Sequence, residues 1–450
     1  MKQGDLIKFD VTSLGDKGEG VGRLGNDNIY AVNAIDGERA VARVSYAKRN
    51  TVFADVKEII NKSPFRQEPI CDRFLKCGGC QLQHMSYAKQ LDFKRSLLAK
   101  NMKNIGGFEI DVPNVVASPL LRGYRNKVQL PVGIVGGKVA VGFYANNSHK
   151  LVPVAHCPLQ EKWAKDMAEA FLCYLDAADV AVYDEIKHKG LVRHIIGRYI
   201  EGQLLVTVVI NGEELPTKEV FINLLSKKFD NFGLFINKNT KKTNVILGGK
   251  SKWIYGLQYI NADINGIKFV LRPDSFFQVN WGIAELLYAE VKKHLSQTDT
   301  EVIVDCYSGV GILSALLYSE NIKAYAIEIE QSAVADADYV KEQNGLVNLT
   351  NICGDVAENL PEIFKKNQNK NIAVVVDPPR KGLAAKTVEL FRQTMPQQIV
   401  YISCDSATLA RDVKLLCQNN LYQITHIQPF DMFPYTRHVE TVVLITRAKE

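Results

Sequence analysis

Cys404 follows a short apolar run, Ile399-Val400-Tyr401-Ile402-Ser403, and precedes Asp405-Ser406-Ala407-Thr408, where a helix should begin. A cysteine between a buried strand and a helix N-terminus is a candidate nucleophile, because the unpaired amides of the first helical turn favour a thiolate over the ordinary thiol pKa near ~8.5. Asp377-Pro378-Pro379-Arg380 ends the preceding strand of the same pattern, and His438-Val439-Glu440 stands at the strand pair that follows. A lone cysteine is usually packing. A thiol, a carboxylate with an arginine, and a second carboxylate, all at strand ends, instead make a set suited to covalent catalysis with proton transfer.

A cofactor site is legible upstream. Asp305-Cys306-Tyr307-Ser308-Gly309-Val310-Gly311 follows a strand and opens a helix, and a Gly-x-Gly turn there brings backbone close to a ligand at the carboxyl end of a sheet. Glu328 ends the next strand, where a carboxylate can take both ribose hydroxyls, and Gly354-Asp355 ends the third, within reach of an adenine amino group. A dinucleotide site would want a third glycine, and that position is Ser314. S-adenosylmethionine is therefore the expected cofactor, with Asp305, Gly309, Glu328 and Asp355 among its contacts. A thiol nucleophile beside a methyl donor suits methylation of a carbon that is not nucleophilic by itself, such as a pyrimidine C5. Cys404 would add at C6, C5 would take the methyl, and Glu440 would remove the C5 proton. Asp377 would hold either the cofactor region or the pyrimidine edge.

A second cysteine group points to a metal. Cys71, Cys77 and Cys80 form C-x5-C-x2-C with Gly78-Gly79 inside the last pair, and Cys157, before Pro158, is the expected remote fourth ligand. Three clustered thiols and one distant one suit a four-iron, four-sulfur cluster better than zinc, whose ligands usually come as two close pairs. His84 and His156 are rival ligands by proximity. Cys173, Cys353 and Cys417 lie in apolar surroundings and read as packing.

These residues need several cores to position them. A chain of 450 residues suggests three domains. Residues 1–60 alternate apolar and polar in short runs (Ile7/Phe9/Val11, Ile29/Tyr30/Val32, Ala40/Ala42/Val44, Val52/Ala54/Val56), the signature of a five-stranded, oligonucleotide-binding type of barrel. Lys8, Lys17, Arg23, Arg39, Arg43, Lys48 and Arg49 make that segment basic and favour RNA contact. Residues 61–265 read as an α+β unit, with a helix over 86–102 and strands near 124–132, 139–143, 193–199 and 204–210. Residues 266–450 alternate strand and helix, giving a doubly wound parallel sheet of Rossmann-like methyltransferase type, with one antiparallel strand among the last two. The 46% hydrophobic and 23% charged fractions and net charge of +6 describe an ordinary globular protein. No run approaches a membrane span and Met1-Lys2-Gln3-Gly4-Asp5 is not of signal type, so a cytoplasmic monomer is expected.

The motifs resemble a known family. Asp377-Pro378-Pro379-Arg380, the run from Ile402 to Asp412, and Asp431-Met432-Phe433-Pro434 with His438-Val439-Glu440 are similar to the RNA (uracil-5-)-methyltransferases. Ser275-Phe276-Phe277-Gln278-Val279-Asn280 resembles the family segment that contacts cofactor through its glutamine and stacks an aromatic near the target base. The resemblance covers nearly the whole chain. It implies that Gln278, Tyr307, Glu328 and Asp377 bind S-adenosylmethionine, that Cys404 is the nucleophile and that Glu440 is the base. The barrel and Cys71, Cys77, Cys80 and Cys157 resemble the 23S ribosomal RNA branch, with its TRAM domain and an iron–sulfur cluster that supports fold and RNA docking; the branch making ribothymidine in transfer RNA typically lacks both. Two positions depart from the pattern: Tyr307-Ser308 replaces a common Phe-Cys, and Asp405-Ser406 a common Asn-Pro. The function expected is uridine C5 methylation of 23S ribosomal RNA. The alternatives are the same reaction on transfer RNA, cytosine C5 methylation, and a non-catalytic RNA-binding assembly factor.

Overall fold

The alternating N-terminal runs close into a five-stranded barrel: β1 (Leu6–Leu14), β2 (Gly20–Leu24), β3 (Asp27–Val32), β4 (Arg39–Lys48) and β5 (Thr51–Asn61), in the order β1-β2-β3-β5-β4 with β4 pairing back to β1. The computed structural model describes residues 1–154, 156–296 and 298–448. The inward positions, Ile7, Phe9, Val11, Ile29, Ala31, Ala42, Val44 and Val52 among them, form the barrel core. β2 has no apolar alternation because its glycines serve close packing. A Cβ on Gly22 would stand 2.2 Å from the Asp10 carbonyl oxygen and 2.6 Å from the Phe9 ring.

After the barrel come α1 (Tyr87–Asn101), β6 (Lys127–Val135), β7 (Lys138–Tyr144), β8 (Leu151–Pro153), α2 (Lys162–Ala177), β9 (Val192–Ile200), β10 (Gln203–Ile210), α3 (Lys218–Ser226), β11 (Asn231–Lys238) and β12 (Lys252–Gly256). The strands form one sheet, β12-β11-β10-β9-β6-β7-β8, and α2 and α3 cover a face of it through Phe171, Tyr174 and Phe221. The apolar pattern of α1 directs it elsewhere. Although it lies within 61–265, Leu98 and the following Met102 pack with Leu409 and Ala410 against the C-terminal sheet, and Asn101 Nδ2 donates to Ser406 Oγ at 2.8 Å.

The C-terminal part begins with the hairpin β13 (Ile260–Ile264) and β14 (Ile267–Leu271) and continues as α4 (Trp281–Ser296), β15 (Val302–Cys306), α5 (Ile312–Leu317), β16 (Lys323–Glu328), α6 (Gln331–Gln343), β17 (Leu349–Cys353), α7 (Val356–Lys366), β18 (Ile372–Val376), α8 (Ala385–Thr394), β19 (Gln398–Ser403), α9 (Ser406–Leu416), β20 (Tyr422–Phe430) and β21 (Glu440–Arg447). The sheet order is β17-β16-β15-β18-β19-β21-β20. The first five strands are parallel, and β21 inserts antiparallel between β19 and β20. From β15 the chain winds first towards β17 and then the other way from β18. That reversal opens a crevice at the carboxyl ends of β15 and β18, where doubly wound sheets bind ligands. Among the described residues, no helix is long and apolar enough to cross a membrane.

One ion pair ties α1 to the loop between β20 and β21. Lys94 and Asp431 are both fully buried and hydrogen-bonded, and Lys94 Nζ also donates to the Phe433 carbonyl at 3.0 Å. Burying both charges is costly, and removing one partner strands the other. Asp431→Ala should therefore lower the unfolding free energy by about 3–5 kcal/mol, while Lys94→Met combined with Asp431→Leu should recover most of the loss. Urea denaturation of the three proteins decides this, and equal midpoints for the single variant and the parent would refute it.

Candidate active site

Strand register brings the three strand-end motifs together. Ser403, the last residue of β19, pairs with Thr441 of antiparallel β21, so the residues just beyond, Cys404 and Glu440, face each other across the strand ends. Val376 of β18 pairs with Tyr401 of β19 and with Cys306 of β15, which sets Asp377 between the thiol and the glycine turn. Asp405 caps α9, accepting from the amides of Ala407 and Thr408 at 3.0 and 3.1 Å. Aspartate thus does the capping at this turn without a following proline. Glu440 is buried as the first residue of β21.

The helix N-terminus does not make Cys404 a resting thiolate. Burial pushes its thiol up to about 11, the Glu440 and Asp377 carboxylates add to the rise, and the Arg380 guanidinium opposes it. Burial first, and then two carboxylates in the same pocket, outweigh a terminal helix field of half a charge. The carboxyls are shifted too. Loss of solvation raises Glu440, with Asp377 as the next cause and Arg380 opposing, and loss of solvation likewise raises Asp377. The two carboxyls, Glu440 buried and Asp377 half-buried at the cavity edge, hold a proton between them. His438 is pushed down to about 4, by burial first and then by Arg380, Arg437 and Lys94, so it is neutral at pH 7.

A second cavity adjoins this group at the sheet crevice. It is lined by Gln278, Asp305, Tyr307, Gly309 and Asp377, with Phe276 and Tyr288 at its walls. Tyr307 takes a left-handed backbone (φ 67°), and the Tyr307 and Ser308 amides donate to the Ile327 carbonyl at 3.0 and 3.1 Å. Gly309 (φ 55°) faces open space and donates its amide to Glu328 Oε2 at 3.0 Å. Asp305 accepts from Ser314 Oγ, so the residue standing where a third glycine would be in a dinucleotide site supports the acid instead. Burial, with Asp377 and Glu328 adding repulsion against that hydrogen bond, raises Asp305 to about 7. Asp355 lies outside the cavity lining. It is exposed and caps α7 by accepting from the Ala357 amide at 2.8 Å, leaving its other oxygen free.

Several residues that hold this site carried no motif in the sequence. Asn126, beside β6, donates Nδ2 to the Gln278 carbonyl at 2.9 Å and its amide to the Val279 carbonyl at 3.0 Å. Buried Arg198 donates to the Ser275 carbonyl, and Asn280 donates to Ser118 Oγ and the Met432 carbonyl. The segment is thereby held from the central sheet on one side and the β20–β21 loop on the other. Phe277 packs inside against Phe269 and Trp281 while Phe276 is 68% exposed, so Phe276 is the aromatic free to stack. Lys94, on the buried stripe of α1 with Gln90, Phe93 and Leu98, carried no motif either.

The four cysteines proposed as ligands also meet. Cys71, Cys77, Cys80 and Cys157 line one cavity, closed by Arg125, Phe74 and Leu159. Burial raises the Cys80 and Cys157 thiols to about 12 and about 11, each repelled by other thiols of the set, with Arg125 opposing. His84 is outside the cavity, stacked on Phe74 with centroids 5.6 Å apart, and His156 is exposed; neither lines the cavity with the four thiols. Cys173 and Cys353 are exposed rather than packed in a core, whereas Cys417 packs partly buried against the C-terminal core. The Gln81 and Leu82 amides donate to the Tyr435 carbonyl at 3.1 and 2.9 Å, joining the cysteine loop directly to the loop that leads to Glu440.

Comparison with known proteins places this geometry in context. The family model for tRNA (uracil-5-)-methyltransferase matches residues 86–448. An uncharacterized RNA methyltransferase of Clostridium tetani is 38% identical over 449 residues, covering 99% of this chain and 97% of the relative. One of Caldanaerobacter subterraneus is 36% identical over 450 residues, covering 99% of each. The crystal structure of Pyrococcus abyssi tRNA (uracil-54, C5)-methyltransferase with S-adenosyl-L-homocysteine superposes with a TM-score of 0.76 at 26% identity, covering 98% of this chain and 100% of that one.

The Asp305 shift predicts a pH effect on stability. Its carboxyl titrates near 3.8 when unfolded and near about 7 when folded, so the folded protein keeps a proton that the unfolded chain releases. Stability should fall as pH rises from about 4 to about 7, by up to about 4 kcal/mol for this group. Asp305→Asn should flatten that part of the profile, measured by chemical denaturation at each pH; parallel profiles for parent and variant would refute it.

Proposed function

The chain belongs to the RNA (uracil-5-)-methyltransferase family, and from that premise we propose that it methylates uridine C5 in 23S ribosomal RNA through a covalent Cys404 adduct. It is an RNA methyltransferase using S-adenosylmethionine. The observation that carries the mechanism is the pairing of Cys404 and Glu440 across the ends of β19 and β21, beside Asp377 and the cofactor cavity. S-adenosylmethionine supplies an electrophilic methyl group when bound. Gln278, Asp305, Tyr307, Gly309, Glu328 and Asp377 would hold it, with Asp355 at the edge, and this set of acids suits a cation.

Cys404 acts first. Its thiol gives its proton to solvent water as the uracil docks, the S–C6 bond forms, and the C5=C6 electron pair moves towards the O4 carbonyl, making C5 nucleophilic. Arg380 stabilises the thiolate in that step. After C5 has taken the methyl group, the Glu440 carboxylate accepts the C5 proton, the released electron pair re-forms the C5=C6 bond as the S–C6 bond breaks, and the departing thiolate takes that proton from Glu440 to restore the thiol. Asp377 shares the negative charge with Glu440, so that only one of the two need be protonated. This division of labour also separates the reaction from cytosine C5 methylation, where an acid for N3 is needed.

Three features support the ribosomal reading. The barrel has the strand order of a five-stranded oligonucleotide-binding fold, as expected of a TRAM domain. Tyr30 stacks on Phe53 with centroids 5.5 Å apart, and Tyr46 lies 6.3 Å from Phe53, an aromatic face on which bases can stack. A cleft of about 460 Å³ runs from Tyr30 and Phe53 past the cysteine loop to Arg437 and His438, on the loop that leads into Glu440. The cysteines fit a four-iron, four-sulfur cluster better than one zinc ion. Tetrahedral zinc with Zn–S bonds of about 2.3 Å needs sulfurs about 3.8 Å apart, yet no three of these sulfurs lie within 4.8 Å of one another among the described residues. Cys71, Cys77, Cys80 and Cys157 would hold the cluster, which would stiffen the loop joined to Tyr435. Likeness to the Pyrococcus enzyme favours a second reading, transfer RNA as substrate. A cytoplasmic monomer fits either.

Labelled methyl transfer to 23S fragments and to transfer RNA, with nucleoside mass analysis, tests the proposal. The parent should form 5-methyluridine in 23S RNA, Cys404→Ala should fall by about 10³-fold or more, and Cys157→Ser should lose iron and most activity. Label in transfer RNA alone would establish the second reading, and 5-methylcytidine would refute both.

A further inference from the structure

A side-chain cluster on the outer face of the C-terminal sheet takes no part in the chemistry above. Glu290 and His294 lie one turn apart on α4, and His426 comes from β20 just after a register shift between Ile424 and His426. A bulge of this kind re-aims a side chain. Here it turns His426 to α4: His426 Nε2 stands 2.8 Å and His294 Nε2 3.0 Å from the same oxygen, Glu290 Oε1. The two imidazole centroids are 4.1 Å apart. None of the three residues lines the cofactor or cysteine cavities.

We propose that Glu290, His294 and His426 bind a divalent transition-metal ion of the zinc, cobalt or nickel class and thereby clip α4 to β20. All three donor atoms lie within 4.8 Å of one another. Bonds of about 2.1 Å to an octahedral ion put neighbouring ligands about 3.0 Å apart, and the two N···O edges match that spacing. Two imidazole nitrogens and one carboxylate select a first-row transition ion over magnesium or calcium, which prefer oxygen ligands throughout. The residues are 12–30% exposed, leaving room for water on the remaining coordination positions. Lys293 stands 4.0 Å from the other carboxylate oxygen, Oε2, and leaves Oε1 to the imidazoles. The alternative arrangement is metal-free, with both imidazoles hydrogen-bonded to one carboxylate oxygen.

The clip has a structural consequence for the site. α4 also carries Tyr288, buried beside Asp305, Asp377 and Glu440, whose charges together with burial raise its hydroxyl. Fixing α4 to β20 fixes the floor of the crevice from behind.

Co2+ is the probe, because thiolate ligation in the cysteine cavity gives an intense near-ultraviolet band that nitrogen and oxygen ligation does not. The full chain, isolated without oxygen, should bind one equivalent of Co2+ with no thiolate band. His426→Ala and His294→Ala should each weaken that binding by at least about tenfold, and Co2+ should raise the Tm of the parent but of neither variant. The metal-free Tm and methyl transfer of His426→Ala should match the parent, which separates loss of a ligand from loss of the fold. Binding of equal affinity in parent and both variants, or Co2+ bound with the thiolate band alone, would overturn the proposal and leave the metal-free hydrogen-bonded cluster.

Discussion

Like charges held out of water at the ends of three strands set the terms for everything around them. Asp305, Asp377 and Glu440 converge on one crevice whose nearby cation is the largely exposed Arg380. Carboxyls in such surroundings keep protons that they would lose in water, and the same burial, helped by the carboxylate charge that remains, keeps Cys404 a thiol. The resting site thus carries fewer charges than its residues would bear in water. A cationic cofactor relieves the acids, and a bound pyrimidine with Arg380 relieves the thiolate, so the reactive charges develop only when both ligands are in place. Exposed, the same residues would titrate near their ordinary values and a thiolate would be open to unproductive alkylation.

Holding such a site takes contributions from widely separated parts of the chain. Lys94 of α1 neutralises Asp431, Gln90 accepts from the Tyr435 amide at 2.9 Å, and Tyr124 donates to the Pro434 carbonyl at 3.2 Å. The β20–β21 loop is consequently fastened to helix, central sheet and cysteine loop at once, and it delivers Glu440 to β21 in fixed register. The cofactor segment is fastened the same way by Asn126 and Arg198. The central unit is therefore both a platform beside the catalytic domain and part of its walls.

Much of this was legible in the sequence, for physical reasons that differ by element. The buried strands of the C-terminal sheet read as short apolar runs followed by turns, and the five parallel strands and the antiparallel β21 follow from that alternation. The five-stranded barrel was legible from four alternating runs, although β2, built on Gly20 and Gly22, has no side-chain period to reveal it. The helix expected over 86–102 ends at Asn101 and widens into a π turn over Met102–Gly106, and Gly107 in a left-handed conformation terminates it there. The proximity of Cys404, Asp377 and Glu440 was legible because strand ends in one sheet must meet. The protonation of Cys404 was not: it depends on which acids share its pocket, and register between distant strands decides that. Asn126, Arg198 and Lys94 were hidden for the same reason, since a polar residue bonded to a remote backbone carbonyl or a remote carboxylate carries no local signature.

The account stands on a covalent bond between Cys404 and uracil C6, and RNA carrying 5-fluorouridine at the methylated position tests that bond directly. Fluorine at C5 leaves no proton for Glu440 to remove, so elimination stalls after methyl transfer. The account predicts a stable protein–RNA adduct that carries one added methyl group, forms only with S-adenosylmethionine present, and maps to Cys404 by peptide mass analysis. An adduct on another residue, or no adduct from a protein that methylates the matching uridine RNA, would contradict it.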